Sequence, residues 1–255
     1  MNPRLSIVYA TYRNPLMLAR QLALWSDEWP DSMKDLLEVV IVDDASPEPA
    51  IDVIRAHGRP LPRIQLLRVK QDRPWAHLAA RNIGAHEARG RWLLCSDIDH
   101  VIPADTLSAC LSADDEAAAY FFTRRDAPAG DWRADDWPTM AQTLGRTGEH
   151  KAHPNSFCIT REIYWRAGGH CESYVGIYGT DSLFRERLFK HAHRVDLPVP
   201  LIRVSREVIA DASTTTLPRK EGRDPRAKAR VAAAKARRGE SDVIKTLQFE
   251  WERVI

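Results

Sequence analysis

Two hydrophobic patterns alternate over the first hundred residues. Short apolar runs at Leu5–Ala10, Leu37–Val42, Ile64–Val69 and Arg91–Ser96 have the length and side-chain content of buried strands. Between them, Leu16 to Trp25, Glu48 to His57 and the Ala-rich stretch Leu78 to Arg89 carry helical spacing, the last closing at Gly90, a residue type that suits a helix C-cap. Strands separated by helices of roughly 10–15 residues predict an α/β fold with a mostly parallel central sheet covered on both faces. Ligands on such sheets bind beyond the carboxyl ends of the strands. The polar clusters Thr11–Asn14, Asp43–Ser46 and Asp97–His100 fall at those ends.

The pattern loosens from about Ala104. Asp126 to His150, with Pro, Gly, Trp132 and Trp137, reads as a long loop or insert. Order returns with a strand at Phe157–Ile159, a helix near Arg161–Ala167, a Gly168-Gly169 turn and a helix from about Thr180 to His191. Leu201–Val204 reads as one more strand. Residues 206–255 read as a basic helical C-terminal extension, because Arg219–Arg238 holds nine basic residues against two acidic ones. That stretch is either a solvated helix resting on its alanines or the footprint of an anionic partner such as nucleic acid, a lipid headgroup or an acidic polysaccharide.

Composition narrows the class. The 255 residues are 44% hydrophobic and 28% charged, which excludes a wholly disordered chain. No apolar run approaches the roughly 18–20 residues that span a bilayer, and the first residues carry no secretory pattern. Cys95, Cys110, Cys158 and Cys171 form no Cys-x-x-Cys pair and read as reduced, packed thiols, so a cytoplasmic location is expected. A net charge of +2 names no partner.

The central chemical feature is Asp97-Ile98-Asp99, the chain's one Asp-x-Asp, after an apolar strand. Two carboxylates so spaced can reach one hard cation, Mg²⁺ or Mn²⁺, that also bridges phosphate oxygens. The bland reading is chance spacing, and from the tripeptide the two weigh about equally. Asp43-Asp44 either accepts hydrogen bonds from a nucleoside or caps the next helix through Asp44 or Ser46. Arg81 is either a phosphate contact or an exposed, solvated cation. His100 either helps bind diphosphate or begins a turn; His153, His191 and His193 are candidates for a third metal ligand, the last two more simply surface residues. Trp132 and Trp137 either stack on a sugar or base, or pack. The chain has no Gly-x-Gly-x-x-Gly, P-loop lysine or Gly-x-Ser-x-Gly motif, which disfavours dinucleotide-dependent dehydrogenases, P-loop kinases and α/β-hydrolases. The first turn, Ala10–Arg13, also lacks the Gly-rich loop of a sugar-phosphate nucleotidyltransferase.

Together these residues resemble the family 2 glycosyltransferases. Ser6–Asn14 is similar to the family's opening strand and Thr-Tyr-Asn-Arg turn, with the last two residues transposed. Val42–Ser46 is similar to Val-Asp-Asp-Gly-Ser, Ala80–Gly84 to Ala-Arg-Asn-x-Gly, and the Asp97–Asp99 pair follows. Further on, Gly168–Glu172 resembles Gly-Gly-Phe-Asp-Glu. Tyr178–Asp181 resembles the Trp-Gly-Gly-Glu-Asp that opens the helix bearing the base, but the usual acidic pair is Asp181-Ser182 here.

The resemblance implies a GT-A-type, Rossmann-like domain over residues 1–205, with a nucleotide-binding half (1–103) and an acceptor half (104–205). It implies a metal-dependent, inverting transfer of sugar from a nucleotide-sugar, most often a UDP-sugar, to an acceptor hydroxyl. Thr11, Tyr12, Arg13, Asp43, Asp44, Arg81, Asp97 and Ile98 are expected to bind the donor. Asp97 and Asp99 are expected to hold Mn²⁺ or Mg²⁺, and Asp181 to act as base in preference to capping its helix. The acceptor stays open among a glycan, a lipid-linked sugar and a modified nucleic acid; a hydroxymethylated base in DNA would suit the basic stretch. The alternatives are a nucleotidyltransferase and an inactive relative that binds nucleotide or glycan.

Overall fold

Four parallel strands build the first part of the fold: β1 (Leu5–Thr11), β2 (Leu37–Asp43), β3 (Arg63–Val69) and β4 (Trp92–Asp97). Helices α1 (Pro15–Asp27), the short α2 (Asp31–Lys34), α3 (Ala50–His57) and α4 (His77–Glu87) connect them. The chain continues through β5 (His100–Val101), α5 (Ala104–Leu111), β6 (Ala118–Asp126), β7 (Glu149–His150), β8 (Phe157–Thr160), α6 (Arg161–Arg166), α7 (Asp181–Leu188), β9 (His193–Arg203) and β10 (Trp251–Arg253). The strands form one sheet in the order β10-β3-β2-β1-β4-β8-β6-β9-β5, with β7 on β6. This computed structural model describes residues 2–73, 76–139, 149–177, 180–213 and 244–255, with Ala229, Ala232 and Ala233.

The apolar runs are continuous because both faces of the sheet are covered. Leu5, Ile7 and Tyr9 of β1, with Val39 and Ile41 of β2, pack against Met17, Leu18, Leu22 and Trp25 of α1. Val8, Val40 and Val42 face the other way, against Ala80 and Ile83 of α4. Alternate residues thus belong to different cores, so a one-residue slip would exchange them all. Gly84 lets α4 lie flat on this second face: a Cβ there would stand 2.4 Å from Val8 Cγ1 and 3.3 Å from Val42 Cγ2.

Gly90 has a different task from the expected helix cap. Helix α4 ends at Glu87 with Ala88 as its C-cap, and a Cβ on Gly90 would meet the Ser6 backbone nitrogen at 2.7 Å. The Gly90 nitrogen donates to Ser6 Oγ at 2.8 Å, beside the fully buried Glu38 carboxylate. Glu38 accepts from Ser6, Gln65 and the Arg89 and Gly90 nitrogens, which satisfies it at the amino end of the sheet.

Three stretches depart from the sequence reading. The strand expected at Leu201–Val204 is the end of β9, which begins at His193 and runs parallel to β6 through a register shift. Pro198 and Pro200, with charges on the outer positions, hide it. Asp126 to His150 contains the end of β6, a 3₁₀ turn at Ala134–Asp136 and β7. The expected helical extension ends as a strand: β10 pairs antiparallel with β3 and covers that edge. Arg219–Arg238 lies outside the described residues apart from the three alanines, which are helical and exposed.

Candidate active site

The carboxyl ends of β1, β2 and β4 lie side by side, since Thr11 is opposite Asp43 and Ala10 opposite Asp97. Both turns leaving β1 and β2 pass through left-handed backbone, at Arg13 (φ 55°) and Ala45 (φ 56°). Asn14 folds the first turn by accepting from the Tyr12 nitrogen at 2.9 Å, while Asp211 accepts from the first nitrogens of α1. Ser46 Oγ accepts from the Arg13 nitrogen at 3.0 Å and joins the two turns. The Arg13 guanidinium lies over the Tyr12 ring. A cavity of about 210 Å³ opens here between the starts of α1 and α3, lined by Thr11, Asn14, Ser46 and Glu48 among others.

Asp43 caps α3 from a distance. Its Oδ1 accepts from the Ser46 nitrogen (2.9 Å) and its Oδ2 from the Ala50 nitrogen (3.3 Å), with Arg68 3.4 Å away. The cap expected from Asp44 or Ser46 is therefore supplied by Asp43. Asp44 is buried, and its nitrogen donates to the Thr11 carbonyl at 2.9 Å.

The Asp97–His100 turn is fixed from beneath. Gln21 Nε2 donates to the Ile98 and His100 carbonyls at 2.8 and 2.9 Å, Tyr9 Oη donates to the latter at 3.3 Å, and the Val204 nitrogen donates to the Asp99 carbonyl at 2.8 Å. Ile98 turns its side chain into the α1 core, so its expected contact with the donor is not open to that side chain. His100 and His153 come together on this turn with ring centroids 4.8 Å apart. Asp97, His100 and His153 each offer a ligand atom, and these atoms all lie within 4.8 Å of one another. Asp99 lies outside the group, with its Oδ1 3.2 Å from His100 Nδ1. His153 Nδ1 lies 3.3 Å from Asp97 Oδ2, and His100 Nε2 has no hydrogen-bond partner among the described residues. Two imidazoles gathered around a carboxylate, one with a free ring nitrogen, fit a divalent cation that accepts mixed nitrogen and oxygen ligands.

Arg81 is 1% exposed, so it is no solvated surface cation. Its Nη2 is hydrogen bonded to Asp97 Oδ1 and its Nη1 donates to the Asn155 carbonyl at 3.3 Å. Burial works against the Asp97 charge, but Arg81, then His153 and His100, hold the carboxyl below its usual range. Burial also lowers His153, to about 4 against the pull of Asp97, leaving the ring neutral and able to ligate.

Asp181 is the first residue of α7 and Thr180 the residue at its cap, with no side-chain capping bond among the described residues. Asp181 Oδ1 lies 3.3 Å from His77 Nε2, at the start of α4. Burial raises its carboxyl, yet the His77 hydrogen bond and the charges of His77 and Arg81 more than offset this and lower it. One turn of α4 thus directs His77 and Arg81 to the two acids on either side. Next to them, Asn82 Nδ2 donates to the His170 carbonyl and to Glu172 Oε1, both at 2.7 Å, and its Oδ1 accepts from Tyr164 Oη at 2.8 Å.

Other candidates fall away from this rim. His193 pairs with Asp115 at 3.1 Å on the surface, and His191 is exposed. Trp132 is buried, with Arg20 over its ring, and Trp137 packs against the same core. All four cysteines are buried, and none forms a disulfide among the described residues. His77 and Asn82 were missed as partners of Asp181 and Glu172, although both lie on the helix whose Arg81 was singled out.

The model of the family described as glycosyl transferase family 2 matches residues 6–177. The chain belongs to that family. The match ends before Asp181. A curated relative, the succinoglycan biosynthesis protein ExoO of Rhizobium meliloti (strain 1021), is 35% identical over 83 residues, 32% of this chain and 23% of its own. Among solved structures, the mannosyltransferase PcManGT from Pyrobaculum calidifontis, in complex with GDP-Man and Mn²⁺, aligns at TM-score 0.57 and 20% identity over 80% of this chain and 57% of its own. S. aureus TarS 1–349 in complex with UDP-GlcNAc aligns at 0.59 and 15% over 80% and 59%. GalNAc-T7 with UDP, GalNAc and Mn²⁺ aligns at 0.57 and 15% over 80% and 44%. The fold is that of the GT-A glycosyltransferases. The chain spans less than two thirds of each of these relatives. No helix among the described residues is long and apolar enough to cross a membrane.

Proposed function

We propose that this chain is an inverting glycosyltransferase that moves a sugar from a nucleotide-sugar, UDP- or GDP-linked, to an acceptor hydroxyl. One observation carries the reading: Asp97, His100 and His153 meet on the strand-end rim beside a buried arginine. Two imidazoles with one carboxylate suit Mn²⁺ better than Mg²⁺, which prefers an all-oxygen shell. When bound, the cation supplies charge neutralisation at the departing diphosphate.

The chain's own residues do the rest. Thr11, Tyr12, Arg13 and Asp44 form the nucleoside end, and Asp43 holds their turn in place through Ser46 and α3. Arg81 fixes the Asp97 carboxylate and keeps it ionised, Asp99 steadies His100, and Ile98 anchors the turn in the core. The acceptor hydroxyl loses its proton at the Asp181 end. A sugar attacked from that side, opposite the diphosphate, changes configuration once. The buried thiols suit a reducing cytoplasm. The acceptor class stays open among glycan, lipid-linked sugar and modified nucleic acid.

Titration calorimetry with UDP-GlcNAc, UDP-glucose and GDP-mannose, with and without Mn²⁺, tests this. Binding strengthened by Mn²⁺, with Mn²⁺ affinity reduced at least about tenfold in His153→Ala, is expected. Absence of binding by every donor and by UDP and GDP overturns it; binding without hydrolysis or transfer marks an inactive relative. Pyrophosphate release from a nucleoside triphosphate and sugar phosphate supports the nucleotidyltransferase instead.

A further inference from the structure

The strand-end rim continues past Asp97. Strand β8 runs antiparallel to both β4 and β6, so β4 and β6 point the same way and end on one rim. The end of β6 holds Arg124, Arg125 and Asp126, and β9, parallel to it, ends there at Arg203. Asp126 is opposite Arg203, and Arg203 is opposite His100. Side chains along a strand alternate between faces, so Arg124, Asp126, Arg203 and His100 share one face of the sheet.

On that face Arg203 already has an acid, since its Nε lies 2.7 Å from Asp126 Oδ1. Arg124 is half-buried, and its Nε is enclosed with no hydrogen-bond partner among the described residues. It is opposite His150 of β7, the strand that leads to His153. Burial, then the charge of Arg203, lower the Arg124 pKa against the pull of Asp126, Asp99 and Asp97. Arg124 in turn acts on His153. The guanidinium therefore lies within the field of the metal-site acids without being neutralised by them. A cation held at Asp97, His100 and His153 would weaken their pull on it further.

We propose that Arg124 binds an anionic oxygen group of the donor on the sugar side of the metal site. This deepens the glycosyltransferase reading and rests on it. The nucleoside end lies at β1 and β2, the acids at β4, and Arg124 two strands further on, about 10 Å at the usual strand spacing. A donor laid along this rim presents its diphosphate at Asp97 and its sugar towards β6. Two donor groups offer such oxygens: the phosphate that carries the sugar, and a carboxylate on the sugar itself, as in a hexuronate. A guanidinium takes either with two parallel hydrogen bonds, a geometry that lysine cannot supply. The second source would make the protein selective for acidic sugars.

The test is titration calorimetry on the full chain with Mn²⁺, using UMP, UDP, UDP-GlcNAc and UDP-glucuronate, with GMP, GDP and GDP-mannose in parallel. In Arg124→Gln, affinity is expected to fall about 10–100-fold for the ligands that carry the bound anion. If that anion is the phosphate, UDP or GDP weakens while UMP and GMP stay within threefold. If it is the carboxylate, UDP-glucuronate weakens while UDP and UDP-GlcNAc stay within threefold. Arg124→Lys keeps the charge without the fork and should lose less in the same arm. Affinities within threefold of the wild type for every ligand in Arg124→Gln overturn the proposal. A loss that UMP and GMP share in full, a fall in Mn²⁺ affinity without nucleotide, or failure of both variants to fold makes Arg124 a structural residue, which also overturns it. A wild type that binds none of these nucleotides defeats the glycosyltransferase reading itself, whereas wild-type binding that Arg124→Gln leaves unchanged defeats this proposal alone.

Discussion

Asn82 ties α4 to Glu172: its Nδ2 lies 2.7 Å from Glu172 Oε1, and the same carboxylate accepts from the Leu247 and Gln248 nitrogens at 2.8 and 2.7 Å. One buried amide thus fixes α4, the Gly168–Glu172 turn and the returning C-terminal segment. Gly169 makes room for it, since at φ 62° a Cβ would approach Asn82 Oδ1 to 2.8 Å.

Replacing Asn82 by Ala leaves the His170 nitrogen and carbonyl, the Tyr164 hydroxyl and one bond of Glu172 without their partner. A single orphaned buried group costs about 1–3 kcal/mol, so a loss of at least about 2 kcal/mol is expected in urea unfolding. A loss below about 0.5 kcal/mol would show that water or relaxation replaces these bonds.

Gly84 is held by the sheet beneath it. In Gly84→Ala the new methyl must displace Val8 Cγ1, the side chain of a fully buried strand residue. Ala favours a helix over Gly by up to about 1 kcal/mol, whereas overpacking costs about 1–3 kcal/mol. Net destabilisation is expected, with a lowered Tm; an unchanged or raised Tm would mean that α4 lifts from β1 without cost.

The parallel half of the fold was legible because its apolar runs are continuous and its helices periodic, and the strand-end acids followed from that order. The second half was not. β9 opens with the charges of Arg194 and Asp196 and then carries Pro198 and Pro200, and β10 is three residues whose partner strand lies far back in the chain. Asp97 and Arg81 were each visible, but their pairing, like that of His77 with Asp181, depends on how one helix lies on the sheet. His153 comes from a stretch with no periodicity, so proximity to Asp97 could not be read from spacing.

Ala45 holds a backbone conformation that suits the glycine found there in the motif it resembles. At φ 56° its Cβ is crowded, which costs roughly 1–2 kcal/mol, while glycine in the unfolded chain returns about 0.4–1 kcal/mol of entropy. Ala45→Gly is therefore expected to stabilise the protein by about 0.5–1 kcal/mol. Thermal unfolding should show a rise of about 1–4 °C, and a fall would mean that the Ala45 methyl makes contacts worth more than the strain.

His170 gives the protein a sensitivity to mild acid. Its ring packs at a tilt against Phe184, with centroids 4.5 Å apart, near Tyr164, and its Nε2 has no hydrogen-bond partner among the described residues. Burial, then the charge of Arg81, keep its pKa well below 6.5 against the pull of Asp181. In the unfolded chain the imidazole titrates near 6.5. Above that pH both states are neutral and the residue adds no pH dependence. Below it the unfolded state binds a proton that the folded state refuses, so stability falls with pH until the folded pKa is reached. The slope from one such group is at most about 1.4 kcal/mol per pH unit. His170→Phe, the aromatic of the related motif, removes this proton linkage while keeping a ring against Phe184. Urea midpoints measured from pH 7.5 to 5 should fall less steeply in the variant than in the wild type. Parallel curves would assign the acid loss to other groups, with the neutral His153 first among them.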